Sequence, residues 1–384
     1  EAVSGGGWAI KRVMPRQNEQ VNELWMCDKG RFGYHYAESR ERLNQPLVRK
    51  DGALQPASWD EALDLAASRL KEAVNPLLLA GGRLSVEDLY NLQALVCSRG
   101  GQALLDTHLA GGELVSAYAP GEGFNFSDLG AGSAILVVAS DLHQEAPIWW
   151  LRLKAAVARG AQLIAANARP TRLDDFAAHV LRYPYGGEAD LLAGLLPWAE
   201  ASPEAKSASA ALQKAESLLV IYGGEGLDLA GSAALAEAGV GLLAATGKLG
   251  HTHSGLLAVW GRANDQGAWE LGFRPSADLV GALAAADLLY IAGSDPAGDD
   301  PRLAQAIDEA GFVIMQELFM SATAQRADIV FPVLAYTERE GTLVNGERRV
   351  QRYYPALRPR TGARADYAIA ALDALSGRIK WVMR

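Results

Sequence analysis

The sequence has 384 residues, a net charge of −9, and 49% hydrophobic against 21% charged residues. That length calls for two or three domains rather than one core, and the composition excludes an intrinsically disordered chain. The negative balance excludes a general nucleic-acid binder, whose affinity comes from Lys and Arg neutralising phosphates.

The first 55 residues are polar and show no alternation of strands and helices, so they are expected to form a separate cap. They contain Gly5–Gly7 and the stretch "WMCDKGRFGYHY" (25–36), which sets Cys27 and Lys29 among glycines and aromatics. A helix is expected next, opened by a capping box of Ser58 and Glu61. Trp59, Ala62, Leu63, Ala66 and Leu70 follow at helical spacing and make one apolar face. Short apolar β-type runs then appear at Leu77–Ala80, Ala134–Ala139, Gln162–Ala166, Leu218–Tyr222, Leu288–Ala292 and Phe312–Met315. Fully apolar strands separated by helices are what a sheet buried on both faces requires, which predicts a parallel α/β architecture. Ligands bind beyond the carboxyl ends of such strands. That directs attention to Gly81-Gly82, Ser140-Asp141, Asn167-Ala168-Arg169, Gly223-Gly224-Glu225 and Gly293-Ser294-Asp295. The stretch "SPEAKSASAALQKAES" (202–217) reads as a linker before a new strand.

Few motifs carry chemistry by themselves. Two cysteines cannot make a disulfide framework and fit a reducing compartment. Cys27 alone cannot hold an iron–sulfur cluster, which takes four thiolates. Cys97 follows Leu92, Leu95 and Val96 on a helical pattern and reads as a buried apolar residue. "YGGEGLD" (222–228) is either a tight βα turn or a phosphate cradle. His251 and His253 read as a loop pair rather than a metal site, and Asp299 or Asp300 as a helix N-cap. Arg339, Arg348, Arg349, Arg352, Arg358, Arg360 and Arg364 against Glu340 and Glu347 make a basic strip, either a solvated surface or a partner contact. The apolar runs stop short of the ~20 residues of a bilayer span, so no membrane span is expected. No export signal opens the chain, and a start at Glu1 rather than Met suggests a processed protein or a fragment.

Four ordered stretches together resemble the molybdopterin oxidoreductases. They are "VNELWMCDKGRFGY" running into "SWDEAL", "ASDLHQEAPIWWLRLKAAVARGAQLIAANARPTRLDDFA", "LLAATGKLGHTHSG" with "WGRANDQGAWELG", and "VIMQELFMSATAQRADIVFPVLAYTEREGTLVNGERRVQR". Within the family the likeness is strongest to the large iron–sulfur subunit of bacterial respiratory complex I. The resemblance implies two doubly wound α/β lobes with parallel sheets and a partial N-terminal iron–sulfur cap. It divides the chain into a cluster-domain remnant (1–55), a discontinuous first lobe (56–105 and 267–384) and an inserted second lobe (106–266).

The same resemblance assigns residues. Cys27 falls on the fourth cysteine of a [4Fe–4S] motif, with the other three expected upstream of Glu1. Lys29 matches a lysine proposed to relay electrons between cluster and pterin. Asn167, Arg169 and Asp295 are expected at cofactor-binding strand ends, although Asn167 replaces an Asp that commonly binds guanosine ribose. The metal-ligand position falls near "LDTHLAGGELVSAY", where Asp106, Glu113 and Ser116 are possible in type. Arg262, Asn264 and Gln266 match a further signature loosely. The family's C-terminal barrel has no counterpart up to Arg384, so molybdopterin guanine dinucleotide is not expected here. The implied role is a complex I component on the cytoplasmic face of the inner membrane, partnered by other peripheral-arm subunits. The alternatives are a catalytic Mo/W oxidoreductase of the formate dehydrogenase type and a stand-alone nucleotide-binding module.

Overall fold

The computed structural model describes residues 9–371; Gly5–Gly7 and residues 372–384 lie outside the described residues. In chain order the strands are β1 (Leu47–Lys50), β2 (Ala53–Pro56), β3 (Pro76–Gly81), β4 (Gln102–Asp106), β5 (Ser133–Val138), β6 (Gln162–Ala166) and β7 (His179–Leu181). They continue with β8 (Ser217–Tyr222), β9 (Gly255–Ala258), β10 (Leu288–Ala292), β11 (Val313–Glu317), β12 (Ile329–Pro332), β13 (Gly341–Val344) and β14 (Val350–Tyr353). A seven-stranded sheet has the order β2-β1-β12-β11-β10-β3-β4, and a five-stranded sheet the order β7-β6-β5-β8-β9. The second sheet is thus formed by chain lying between β4 and β10. Its pairings are all parallel. In the first sheet the antiparallel pairings are those of β1, with β2 and with β12; the β1–β2 hairpin straddles residue 55 and carries that sheet back to residue 47.

Alternation along the strands shows why both faces are covered. Leu78, Ala80, Tyr290, Ala292 and Ile314 enter one core, while Leu77, Leu79, Leu289, Ile291 and Met315 enter the opposite one. The second sheet does the same, with Leu136, Ile164, Val220 and Tyr222 on one face and Ile135, Leu163, Leu219 and Ile221 on the other. A period of two with apolar residues at every step needs a helical layer on each side. Helix Trp59–Glu72 supplies part of one layer through buried Ala62, Leu63, Ala66 and Leu70.

Several local expectations change. The stretch at 202–217 is no linker but helix Pro203–Lys214, started by Ser202, whose side chain accepts the Ala205 N–H at 3.2 Å. Ser-Pro at the cap and first turn is a helix-start signal, and Ala205, Ala208, Ser209 and Leu212 bury one face. Ser58 caps its helix by accepting from Glu61 N at 3.1 Å, but Glu61 pairs with Lys50 at 2.5 Å and leaves the box half formed. Cys97 is exposed rather than buried, because it ends its helix one step beyond buried Val96. Asp300 caps helix Pro301–Glu309 as expected, accepting from Arg302 N at 2.8 Å.

The basic strip faces inward more than outward. Arg339 is buried between Asp88 (2.5 Å) and Asp366 (3.6 Å), Arg348 pairs with Glu270 at 2.7 Å, and Arg360 donates to the Ser39 carbonyl at 2.8 Å. Arg349 reaches Gln20 at 3.0 Å and the carbonyl of Phe124. The β13–β14 hairpin therefore ties the cap and second lobe to the first. These arginines hold the chain together and are not available as a free partner surface.

Residues 9–46 form the cap, with helix Asp28–Phe32, a 3-10 turn Gly33–Glu38 and an isolated bridge between Asn18 and Glu23. It docks through Arg42, which makes a two-pronged contact with Glu338 at 2.9 and 2.8 Å with both side chains fully buried.

Candidate functional site

The order of the second sheet reverses at β5, with β6 and β7 on one side and β8 and β9 on the other. Such a reversal opens a crevice beyond the strand ends. Backbone fills much of it here. A Cβ on Gly223 would lie 2.4 Å from the Ala139 carbonyl oxygen, so glycine is what lets the turn after β8 approach β5. Ala139 adopts a left-handed φ of 52°, and its carbonyl accepts the Glu225 N–H at 3.0 Å. Asp228 then caps helix Leu229–Ala245, accepting from Gly231 N at 2.7 Å. "YGGEGLD" is a tight βα turn.

That turn carries Glu225 into a cluster at the strand ends. Arg169, just past β6, donates from Nε to Glu225 Oε1 at 2.5 Å and from Nη2 to Oε2 at 3.0 Å. Its Nη1 donates to Asp141 Oδ2 at 3.2 Å. Asn167 Nδ2 and the Tyr185 hydroxyl donate to the same Glu225 carboxylate at 3.2 and 3.1 Å. Glu145 accepts from Ser140 Oγ at 3.0 Å and from Asp141 N at 3.1 Å.

The electrostatics follow. Burial pushes the Glu225 carboxyl up, but the hydrogen bonds from Arg169, Asn167 and Tyr185 outweigh it and hold the group below its ordinary value. The hydrogen bonds to Glu225 in turn raise the Arg169 guanidinium. Glu145 is raised, first by burial and then by the charges of Glu225 and Asp141. The cluster forms one wall of a cleft of about 450 Å³, faced by Thr107, His108, Arg262 and Asp265.

The first sheet meets this cleft with its own strand ends. A Cβ on Gly81 would lie 2.0 Å from the Gly293 carbonyl oxygen, which closes the reversal between β3 and β10. Asp106, at the end of β4, accepts from Ser294 Oγ. Asp265 is buried against Gly82; its Oδ2 accepts from Arg262 N at 3.1 Å and its Oδ1 has no hydrogen-bond partner. Burial, with Asp106 adding to it, pushes the Asp265 carboxyl up to about 7.

The structure therefore brings Asn167 and Arg169 together, with Glu225 between them. Asp295 is engaged apart from them, accepting from Thr323 N at 2.8 Å. Ser116 lies between Glu270 Oε1 (3.0 Å) and Gln266 Nε2 (3.1 Å), and Glu113 is exposed. Asn264 links Leu84 O (2.8 Å) to Val344 N (2.7 Å), a joint between segments rather than a cleft wall. Glu225, His108 and Asp265 were not singled out as site residues in sequence. Their pairings span long chain separations that no local pattern signals.

In the cap, Cys27 is the N-cap of helix Asp28–Phe32, and its Sγ accepts the Gly30 N–H at 3.4 Å. Lys29 lies exposed on the same helix. Among the described residues no group of three or more His, Cys, Asp or Glu is arranged to hold a metal ion. His253 Nδ1 lies 3.8 Å from Asp128, so the loop pair does have a carboxylate neighbour.

Residues 42–377 match the family model described as molybdopterin oxidoreductase. The chain belongs to that family. Residues 2–35 match a second model, the NADH-ubiquinone oxidoreductase NDSU1/NuoG-like 4Fe-4S domain. Among molybdopterin oxidoreductase relatives, the NuoG-type NADH-quinone oxidoreductase subunit of Streptomyces coelicolor is 33% identical over 91% of this chain and 48% of its own length. The F420-dependent formate dehydrogenase 2 subunit alpha of Methanococcus maripaludis is 26% identical over 92% of this chain and 65% of its own. The chain thus spans about half the length of its Streptomyces relative. Acetylene hydratase from Pelobacter acetylenicus shares the fold, with a TM-score of 0.72 at 16% identity over 98% of this chain and 67% of that one. No helix among the described residues is long and apolar enough to cross a membrane.

Proposed function

We propose that this chain is the iron–sulfur-cap and α/β-lobe portion of the large iron–sulfur subunit of a NADH–quinone oxidoreductase, with its lobes serving as packing and assembly scaffold. The observation that carries this reading is the 4Fe-4S-domain match at residues 2–35, which includes Cys27. Cys27 suits one cluster-ligand position: it is half-buried, and a backbone N–H already points at its sulfur. Hydrogen bonds to a ligating thiolate are among the features that tune such clusters. A bound [4Fe–4S] cluster supplies one-electron transfer. Lys29, on the same helix, would add positive charge beside it. The partners are other subunits of the peripheral arm, at the cytoplasmic face of the inner membrane.

The strand-end crevice does not suit a pyrophosphate-bearing dinucleotide. Glu225, Asp141 and Glu145 converge there, Arg169 is already paired, and Gly223 packs against Ala139. Bringing phosphates into that setting adds like-charge repulsion and leaves Arg169 to be shared. Asn167 likewise donates to Glu225. No molybdenum step is therefore assigned to these residues. A second reading, a catalytic relative of the formate dehydrogenases, is favoured by Lys29 and by the Methanococcus relative.

The test is Cys27→Ala in the full-length protein within its native complex. The reduced complex should lose one [4Fe–4S] electron paramagnetic resonance signal while the other signals remain. A full set of cluster signals in the variant would refute the assignment of Cys27.

A further inference from the structure

We propose that Glu225 is a built-in stand-in for an anionic ligand, and that removing its carboxylate turns the crevice at the β5–β8 reversal into a site for a phosphoryl anion. The inference rests on the reading above that the natural crevice holds no dinucleotide. Four donors converge on this one carboxylate: Arg169 Nε (2.5 Å) and Nη2 (3.0 Å), Asn167 Nδ2 (3.2 Å) and the Tyr185 hydroxyl (3.1 Å). The Nε–Nη2 edge of a guanidinium binds carboxylate and phosphate oxygens with the same two-pronged geometry.

The donors are held in place independently of Glu225. Asn167 is buried, and its Oδ1 accepts the Arg169 N–H at 3.1 Å. Arg169 Nη1 is anchored by Asp141 at 3.2 Å. The Arg169 side chain is 45% exposed and lines the cleft of about 450 Å³, so an anion has a path from solvent. Glu225 itself is fixed by its own backbone, through the N–H bonded to Ala139. A tethered carboxylate at this position competes at an effective concentration that free phosphate does not reach.

The experiment is thermal denaturation of the 384-residue chain, wild type against Glu225→Ala, titrated with inorganic phosphate, with guanosine monophosphate, or with chloride at matched ionic strength. The variant's midpoint should start below wild type and rise saturably by roughly 2–4 °C with phosphate or guanosine monophosphate, as mass action requires. Chloride should do nothing, and the double variant Arg169→Ala/Glu225→Ala should not respond. A stronger response to the nucleotide than to phosphate assigns a nucleoside contact as well; equal responses assign the phosphoryl group alone. A folded Glu225→Ala chain indifferent to both ligands overturns the inference, as does an equal response in the double variant. Should Glu225→Ala fail to fold, Glu225→Gln takes its place under the same criteria. Wild type shifted by guanosine monophosphate would instead overturn the underlying reading of a closed crevice.

Discussion

Replacing Arg42 with alanine should lower the unfolding free energy by about 3–5 kcal/mol, because it strands the buried Glu338 carboxylate. Arg42 reaches both oxygens of Glu338 and also donates to the carbonyls of Ala37 (2.6 Å) and Val333 (3.0 Å), so one guanidinium joins the cap to the first lobe. Both side chains are fully buried. A buried pair adds little over a well-packed apolar pair but is costly to break from one side. Arg42→Met/Glu338→Leu should therefore recover most of what either single change loses. Urea denaturation at neutral pH reads this directly. A loss below about 1 kcal/mol for Arg42→Ala, the range of an exposed pair, would show that the cap does not depend on this contact.

Stability should also carry a pH signature from Asp265. Its carboxyl is raised from 3.8 to about 7 by burial, with Asp106 reinforcing and Arg262 opposing. A carboxyl raised in the folded state leaves stability intact below its unfolded value near 4 and removes it as pH rises through about 7. Three units correspond to at most about 4 kcal/mol at 1.36 kcal/mol each. Glu225 and Asp295, both held below their ordinary values, act with the opposite sign and lose stability as pH falls. The clean observable is thus a difference. Wild type minus Asp265→Asn, measured by chemical denaturation from pH 4 to pH 8, should fall steadily towards the alkaline end. A pH-independent difference would mean that Asp265 is ionised throughout.

Much of the fold was legible because strand periodicity is a local signal. The six apolar runs all became strands, and the expected α/β architecture with parallel sheets is the one observed. What escaped were edge or short strands such as β7, β9 and β12, whose place is decided by neighbours far away in sequence. Helix Pro203–Lys214 escaped for another reason: alanine and serine richness masked a Ser-Pro start and a four-residue buried face. The site was only half legible. Asn167 and Arg169 stand at a strand end and were found by that rule, whereas their partner Glu225 lies on another turn and is brought in by parallel pairing of β5 with β8. Charge counting along residues 339–364 suggested a free basic surface. Internal carboxylates and carbonyls instead hold Arg339, Arg348, Arg349 and Arg360 in place.

These particulars converge on a chain that keeps the family's lobes while its crevice is closed by its own residues. Elemental analysis of the full-length protein purified from its native complex tests this most directly. The account predicts iron and acid-labile sulfide with no stoichiometric molybdenum or tungsten. Stoichiometric molybdenum or tungsten in the purified protein would contradict it.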